Sequence, residues 1–186
     1  MLGGARSGKS AHAEGLAAGS VTYVATARRD PADLDWQARI AAHVARRPSS
    51  WSTVETSDLP AVLSDVPTTV LVDDLATWLT GVLDDTGAWE GPLDGARKQC
   101  DELVEAVARR RGPLVMVSAE VGLGVVPATR SGRLFRDELG SLNARLAQVC
   151  DEVLLLVAGL PVQLKPVSPN PMPVPTDNST ARGGNP

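Results

Sequence analysis

Four short stretches, Val21–Ala25, Thr69–Asp73, Leu114–Ser118 and Val153–Ala158, are apolar at most positions and rich in β-branched residues. Unbroken apolarity over five or six positions is the pattern of strands buried on both faces. Between and beside them run longer segments in which Ala and Leu recur among charges: Lys9–Ala18, Asp33–Arg46, Leu75–Leu83, Gly95–Arg111 and Gly132–Val149. These read as helices, and Gly112-Pro113 stops one of them just before the third strand. Strand–helix alternation predicts an α/β fold, a mostly parallel sheet with helices on both faces. No self-similarity appears at solenoid periods.

The last 21 residues break this pattern. From Pro166 to Pro186 they hold six of the chain's 14 prolines, which rule out both helix and sheet ladder. The expected organisation is one domain over 1–165 and a proline-rich, disordered tail over 166–186. With 186 residues, 43% hydrophobic, the chain is sized for a single core. Aromatics are only 3%, so that core must be built from Ala, Val and Leu. Two cysteines exclude a disulfide framework, and a net charge of −4 gives no pull towards nucleic acid. With no secretory signal and no apolar run of spanning length, the expectation is a cytoplasmic protein with small-molecule partners and no membrane segment.

The first chemistry appears at once. Gly3-Gly4-Ala5-Arg6-Ser7-Gly8-Lys9-Ser10 fits G-x-x-x-x-G-K-[ST] at every fixed position. Glycines let backbone N–H groups turn inward around phosphate oxygens, and Lys9 adds a cation that reaches the β and γ phosphates. The Ser10 hydroxyl is placed for Mg²⁺, and the helix opening here points its positive end at the anion. Such a loop hangs from a buried strand, yet only Met1 and Leu2 precede Gly3. About five apolar residues are lacking for a strand of usual length, so the first strand is expected to be missing.

Val70-Leu71-Val72-Asp73-Asp74 sets two carboxylates where a buried strand runs out. Beside a phosphate loop, Asp73 is the candidate Mg²⁺ acid and Asp74 the cap of the helix at Leu75. In Asp33–Arg46, Trp36, Ile40 and Val44 form one apolar stripe, with His43 beside it and Arg39 and Arg46 on its own side. Nearby cations favour neutral imidazole, which can attack phosphorus while arginines gather the oxygens. On spacing alone, a surface histidine on an arginine-rich helix is the better reading of His43. His12, two residues past Ser10, reads as structural.

These blocks, taken in order, carry a resemblance. With the loop go Tyr23-Val24-Ala25-Thr26-Ala27, Arg39-Ile40, His43, Arg46-Arg47-Pro48, Trp51, Thr53-Val54-Glu55 and Val70-Leu71-Val72-Asp73. The 117–127 segment Val-Ser-Ala-Glu-Val-Gly-Leu-Gly-Val-Val-Pro follows, then Arg133–Asp137, Gly140, Asn143, Ala158-Gly159-Leu160-Pro161 and Lys165. Over about residues 1–165 the chain resembles the bifunctional adenosylcobinamide kinase / adenosylcobinamide-phosphate guanylyltransferase family of cobalamin biosynthesis.

The resemblance implies a RecA-like P-loop NTPase fold and a homotrimer. It also implies two reactions: phosphorylation of the aminopropanol hydroxyl of adenosylcobinamide by ATP or GTP, then transfer of GMP from GTP to that phosphate through a GMP–histidine intermediate. His43 matches the guanylylated histidine. Nucleotide contacts are implied at Gly3, Gly4, Ala5, Arg6, Ser7, Gly8, Lys9, Ser10, Ala25, Thr26, Ala27, Val44, Ala45, Arg46, Arg47, Glu55 and Asp73, with Mg²⁺ at Ser10 and Asp73. The sequence departs from the family at Ala119, where Asn is usual, and at Ala144, where Gln is frequent. Two other readings are a truncated nucleotide-binding protein without catalysis and another small-molecule phosphate-loop kinase. The latter would need neither His43 nor the 120–127 block.

Overall fold

The computed structural model describes residues 1–28, 44 and 47–167. Seven strands form one sheet: β1 (Leu2–Gly3), β2 (Val21–Ala25), β3 (Ser52–Glu55), β4 (Thr69–Asp73), β5 (Leu114–Ala119), β6 (Val153–Val157) and β7 (Leu160–Lys165). The described helices are α1 (Lys9–Leu16), α2 (Leu59–Asp65), α3 (Leu75–Asp85), α4 (Asp94–Arg109) and α5 (Arg130–Val149). The strand order is β3-β2-β4-β5-β1-β6-β7. All pairs are parallel except β6–β7, an antiparallel hairpin at the edge. One strand, β5, therefore separates β1, which leads into the Gly3–Ser10 loop, from β4, which ends at Asp73. This is the RecA-like arrangement.

Side-chain alternation on the central strands divides the core. Val24, Val72 and Met116 share one register row and face α2, α3, α4 and α5. Their neighbours Tyr23 and Leu71, with Val117, face the other way and meet Ala13 of α1. Helices thus cover both faces, as continuous apolarity in β2 and β4 requires.

Several elements bear on the expectations. Before the loop, Leu2–Gly3 forms a two-residue strand that pairs with β5 on one side and β6 on the other. Met1 extends it, its amino group donating to the Met116 carbonyl at 3.0 Å and its carbonyl accepting from the Ser118 amide at 2.9 Å. Bonding from both sides lets so short a strand hold its place. The helix expected to reach Arg111 ends at Arg109, because Arg110 turns its guanidinium onto the carbonyls of Leu63, Val66 and Thr68 at 2.7–3.1 Å. Those carbonyls close α2 and lead into β4, so the arginine ties two elements together.

Three elements were not anticipated: β3, α2 and β7. The last contains Pro161 and is exposed from Leu160 to Leu164, as an edge strand permits. Lys165 anchors its end by donating to the carbonyls of Ala147, Gln148 and Cys150 at the close of α5. The expected helix Asp33–Arg46 lies outside the described residues apart from Val44, as does the tail from Ser168 on.

Candidate nucleotide site

The parallel strands end on one edge of the sheet, and ligands of open α/β sheets bind at that edge. Ala25 pairs with both Glu55 and Asp73, so β3, β2 and β4 deliver Glu55, Ala25 and Asp73 as one row. Gly3 closes β1 at the same edge, between Ala119 and Leu156.

From Gly3 the chain turns through a loop whose first residue has no room for a side chain. A Cβ on Gly3 would lie 2.4 Å from the Ser7 hydroxyl and 3.1 Å from the Leu156 carbonyl oxygen. Gly8 sits at φ 87° and Arg6 at φ 56°, so two left-handed residues curl the backbone into a concave turn. Gly8 caps α1 without any side-chain bond, and the first turn of α1 holds no acidic residue. The N–H groups and positive end of α1 are therefore left to whatever the loop encloses. The Lys9 ammonium rests over the loop, 3.4 Å from the Gly4 carbonyl oxygen. The Ser7 hydroxyl is buried and has no hydrogen-bond partner among the described residues.

The loop is seated from below. The Glu120 amide donates to the Gly3 carbonyl at 3.0 Å. Asn143 of α5 holds the end of β5, its Oδ1 accepting from the buried Ser118 hydroxyl at 2.7 Å and its Nδ2 donating to the Ala119 carbonyl at 3.0 Å.

Across the edge, the Ser10 hydroxyl donates to Asp73 Oδ1 at 3.2 Å, joining residues 63 positions apart. Tyr23 donates its hydroxyl to Asp73 Oδ2 at 2.6 Å. Burial, and then the Asp73 charge, raise the Tyr23 phenol well above its ordinary value, so it stays protonated and donating. Arg47 lies over the Tyr23 ring, its Cζ 3.4 Å from the centroid, and Trp51 stacks on the same ring at 6.4 Å. Asp74 caps α3, accepting from the Thr77 amide at 2.8 Å. Thr26 ties β2 to this corner, donating to the Asp74 carbonyl at 2.7 Å and accepting from its amide at 3.1 Å.

The structure thus brings Gly3–Ser10, Asp73 and the ends of β2 and β3 to one edge, with Thr26 and Glu55 at the strand ends. Val44 is exposed; Ala45, Arg46 and His43 lie outside the described residues. A cavity of about 580 Å³ opens instead at the starts of β2 and β3, between Gly19, Ser20, Trp51 and Arg47, away from the loop. Neither cysteine offers a nucleophile: burial pushes the Cys100 thiol up to about 11 and raises Cys150 as well. Tyr23 opens the Tyr23–Ala27 block of the resemblance, but no motif assigns it a role. Only its place on the strand face opposite Val24, in register with Leu71, puts it beneath Asp73.

A sequence model of the family described as cobinamide kinase / cobinamide phosphate guanyltransferase matches residues 1–164. The chain belongs to this family. It is 43% identical over 174 residues to the bifunctional adenosylcobalamin biosynthesis protein CobP of Pseudomonas aeruginosa, covering 89% of this chain and 95% of that one. It is 40% identical over 183 residues to CobU of Salmonella typhimurium, covering 89% and 98%. With CobU of Escherichia coli it shares 36% over 179 residues, at the same coverage. The chain is thus an enzyme of the kinase and guanylyltransferase class in adenosylcobalamin biosynthesis. Among the described residues, no helix is long and apolar enough to cross a membrane.

Proposed function

We propose that this chain phosphorylates adenosylcobinamide on its aminopropanol hydroxyl and then transfers GMP from GTP to that phosphate, with His43 carrying the GMP between. The observation that carries the reading is the Ser10–Asp73 contact of 3.2 Å beneath the phosphate loop. A hydroxyl and a carboxylate converging where a triphosphate would lie are the hard oxygen donors that suit Mg²⁺. Among the described residues no three His, Cys, Asp or Glu side chains cluster. Ser10 and Asp73, together with the nucleotide's own phosphates, would therefore hold the ion. When bound, Mg²⁺ neutralises charge on the phosphate oxygens.

In the kinase step, the loop amides, Lys9 and the α1 N-terminus hold the triphosphate of ATP or GTP while the substrate hydroxyl oxygen bonds the γ-phosphorus, its proton is released, the β–γ P–O bond breaks and the nucleoside diphosphate leaves. In the second step, neutral His43 attacks the α-phosphorus of GTP. A P–N bond forms, the P–O bond to pyrophosphate breaks, and Arg46 and Arg47 gather the phosphoryl oxygens. An oxygen of adenosylcobinamide phosphate then displaces His43, giving adenosylcobinamide-GDP. Ala25, Thr26, Ala27, Val44, Ala45 and Glu55 would border the nucleoside. We place the reactions in the cytoplasm, on a homotrimer, for which light scattering is the check.

The deciding experiment incubates the chain with α-labelled GTP and Mg²⁺ beside its His43→Ala variant. An acid-labile, base-stable label on the parent alone is the expected result. A label on both variants removes His43 from the role. No label on either leaves a nucleotide-binding protein or a simple kinase.

A further inference from the structure

We propose that Tyr23 is the positioning residue for the nucleotide's cation: it holds the Asp73 carboxylate so that one oxygen is turned towards Ser10 and the phosphate loop. The inference rests on the reading of Ser10 and Asp73 as the protein's cation ligands.

A carboxylate at a strand end rotates freely about its last torsion and can present either oxygen. Here the two oxygens have separate partners, Oδ2 taking the Tyr23 hydroxyl at 2.6 Å and Oδ1 facing Ser10 at 3.2 Å. The short contact has the length of a charge-assisted O–H to carboxylate bond. Such a bond fixes its acceptor only if the donor is itself fixed, and Tyr23 is. Its ring is 2% exposed and packs with Ala13, Val21, Leu71 and Val117. Trp51 stacks on that ring, and Arg47 lies over it. Among the described residues the Tyr23 hydroxyl is bonded to Asp73 and not to the loop, so it acts through that carboxylate. Removing partners that orient a ligating carboxylate costs about 10- to 100-fold in metal affinity.

The test titrates Mn²⁺, as a paramagnetic stand-in for Mg²⁺, into the full chain with GDP and reads free Mn²⁺ by electron paramagnetic resonance. Tyr23→Phe keeps the ring and its packing and removes only the donor. The expected result is about a tenfold rise in half-saturating Mn²⁺, with GDP affinity in chelator unchanged and a cooperative thermal transition retained. Asp73→Asn is the reference. If it weakens Mn²⁺ binding and Tyr23→Phe does not, the inference fails and the cation site stands. If Asp73→Asn leaves Mn²⁺ binding intact, the cation site itself is overturned. Equal loss of GDP affinity with and without the ion, or tighter Mn²⁺ binding, also overturns the inference.

Should Tyr23→Phe not fold, the parent still decides. Tyr23 is the chain's one tyrosine, so biosynthetic fluorotyrosine reports this hydroxyl alone. Its fluorine resonance should shift when Mg²⁺ joins the GDP complex, and an unmoved resonance overturns the inference.

Discussion

One face of the sheet buries Leu75, Trp78, Leu79, Leu103, Leu139 and Leu142 beneath four helices, whereas the other, among the described residues, gathers only Ala13, Val21, Tyr23, Leu71 and Val117. The first face is mostly aliphatic; its buried aromatic residue is Trp78, whose indole N–H donates to the Ser57 carbonyl at 2.8 Å. The second holds the tyrosine whose hydroxyl reaches Asp73, and it packs α1, the helix that opens at the phosphate loop. The contrast separates two tasks. Stability comes mainly from the large face, where burial is wide and polar groups such as Ser118 and Asn143 are few and paired with each other. The small face is where a few groups are held in fixed geometry, and small changes there should alter binding before they alter folding.

The sharpest way to break this division is Leu79→Ala, fully buried on the large face. Loss of its packing should cost about 2–5 kcal/mol in denaturant unfolding, with GDP affinity of the folded protein unchanged. A matching loss of affinity would show that the faces are not independent. Next in size is Gly3→Ala. The new methyl group meets Ser7 and the Leu156 carbonyl, so the loop must shift, for about 1–3 kcal/mol and a weakening of GDP binding of about tenfold or more. Gly4→Ala is its control: nothing lies within 4 Å of a Cβ there, and stability should stay within about 0.5 kcal/mol. Equal effects from the two alanines would refute the close-approach argument.

The smallest effect is alkaline. The folded protein holds the Tyr23 proton above the ordinary phenol value of 10.0, because of burial and then Asp73. This contribution is whole below that value and is lost as pH rises through it, since the unfolded chain then releases a proton the folded one keeps. Stability should fall by up to about 1.4 kcal/mol per pH unit above it, and Tyr23→Phe should flatten that fall. Unfolding midpoints on both sides of the phenol value measure it. An identical decline in the variant would locate the loss elsewhere.

What the sequence determined by itself is what depends on neighbours along the chain. The phosphate loop is eight consecutive residues, so its spacing alone predicts its turn, and the structure places Gly8 and Arg6 in the left-handed conformations such a turn uses. Strands β2 and β4 were legible to the residue because burial on both faces leaves no polar alternation to misread. Asp74 as cap and Asp73 as the acid facing the loop followed from their order at a strand end. The assignment of His43 rests on the sequence and its family blocks, since that residue lies outside the described ones.

Tertiary structure decided whatever depends on partners far along the chain. The two residues Leu2–Gly3 carry too little pattern to mark a strand, and become one because β5 and β6 supply hydrogen bonds on both sides. Edge strand β7 lies exposed and contains a proline, so only its pairing with β6 and the Lys165 anchor on α5 define it. The Tyr23–Asp73–Ser10 chain joins three elements separated by up to 63 positions. No local rule orders such a contact, because it exists only once strand order and register have set the ends of β2 and β4 beside the start of α1.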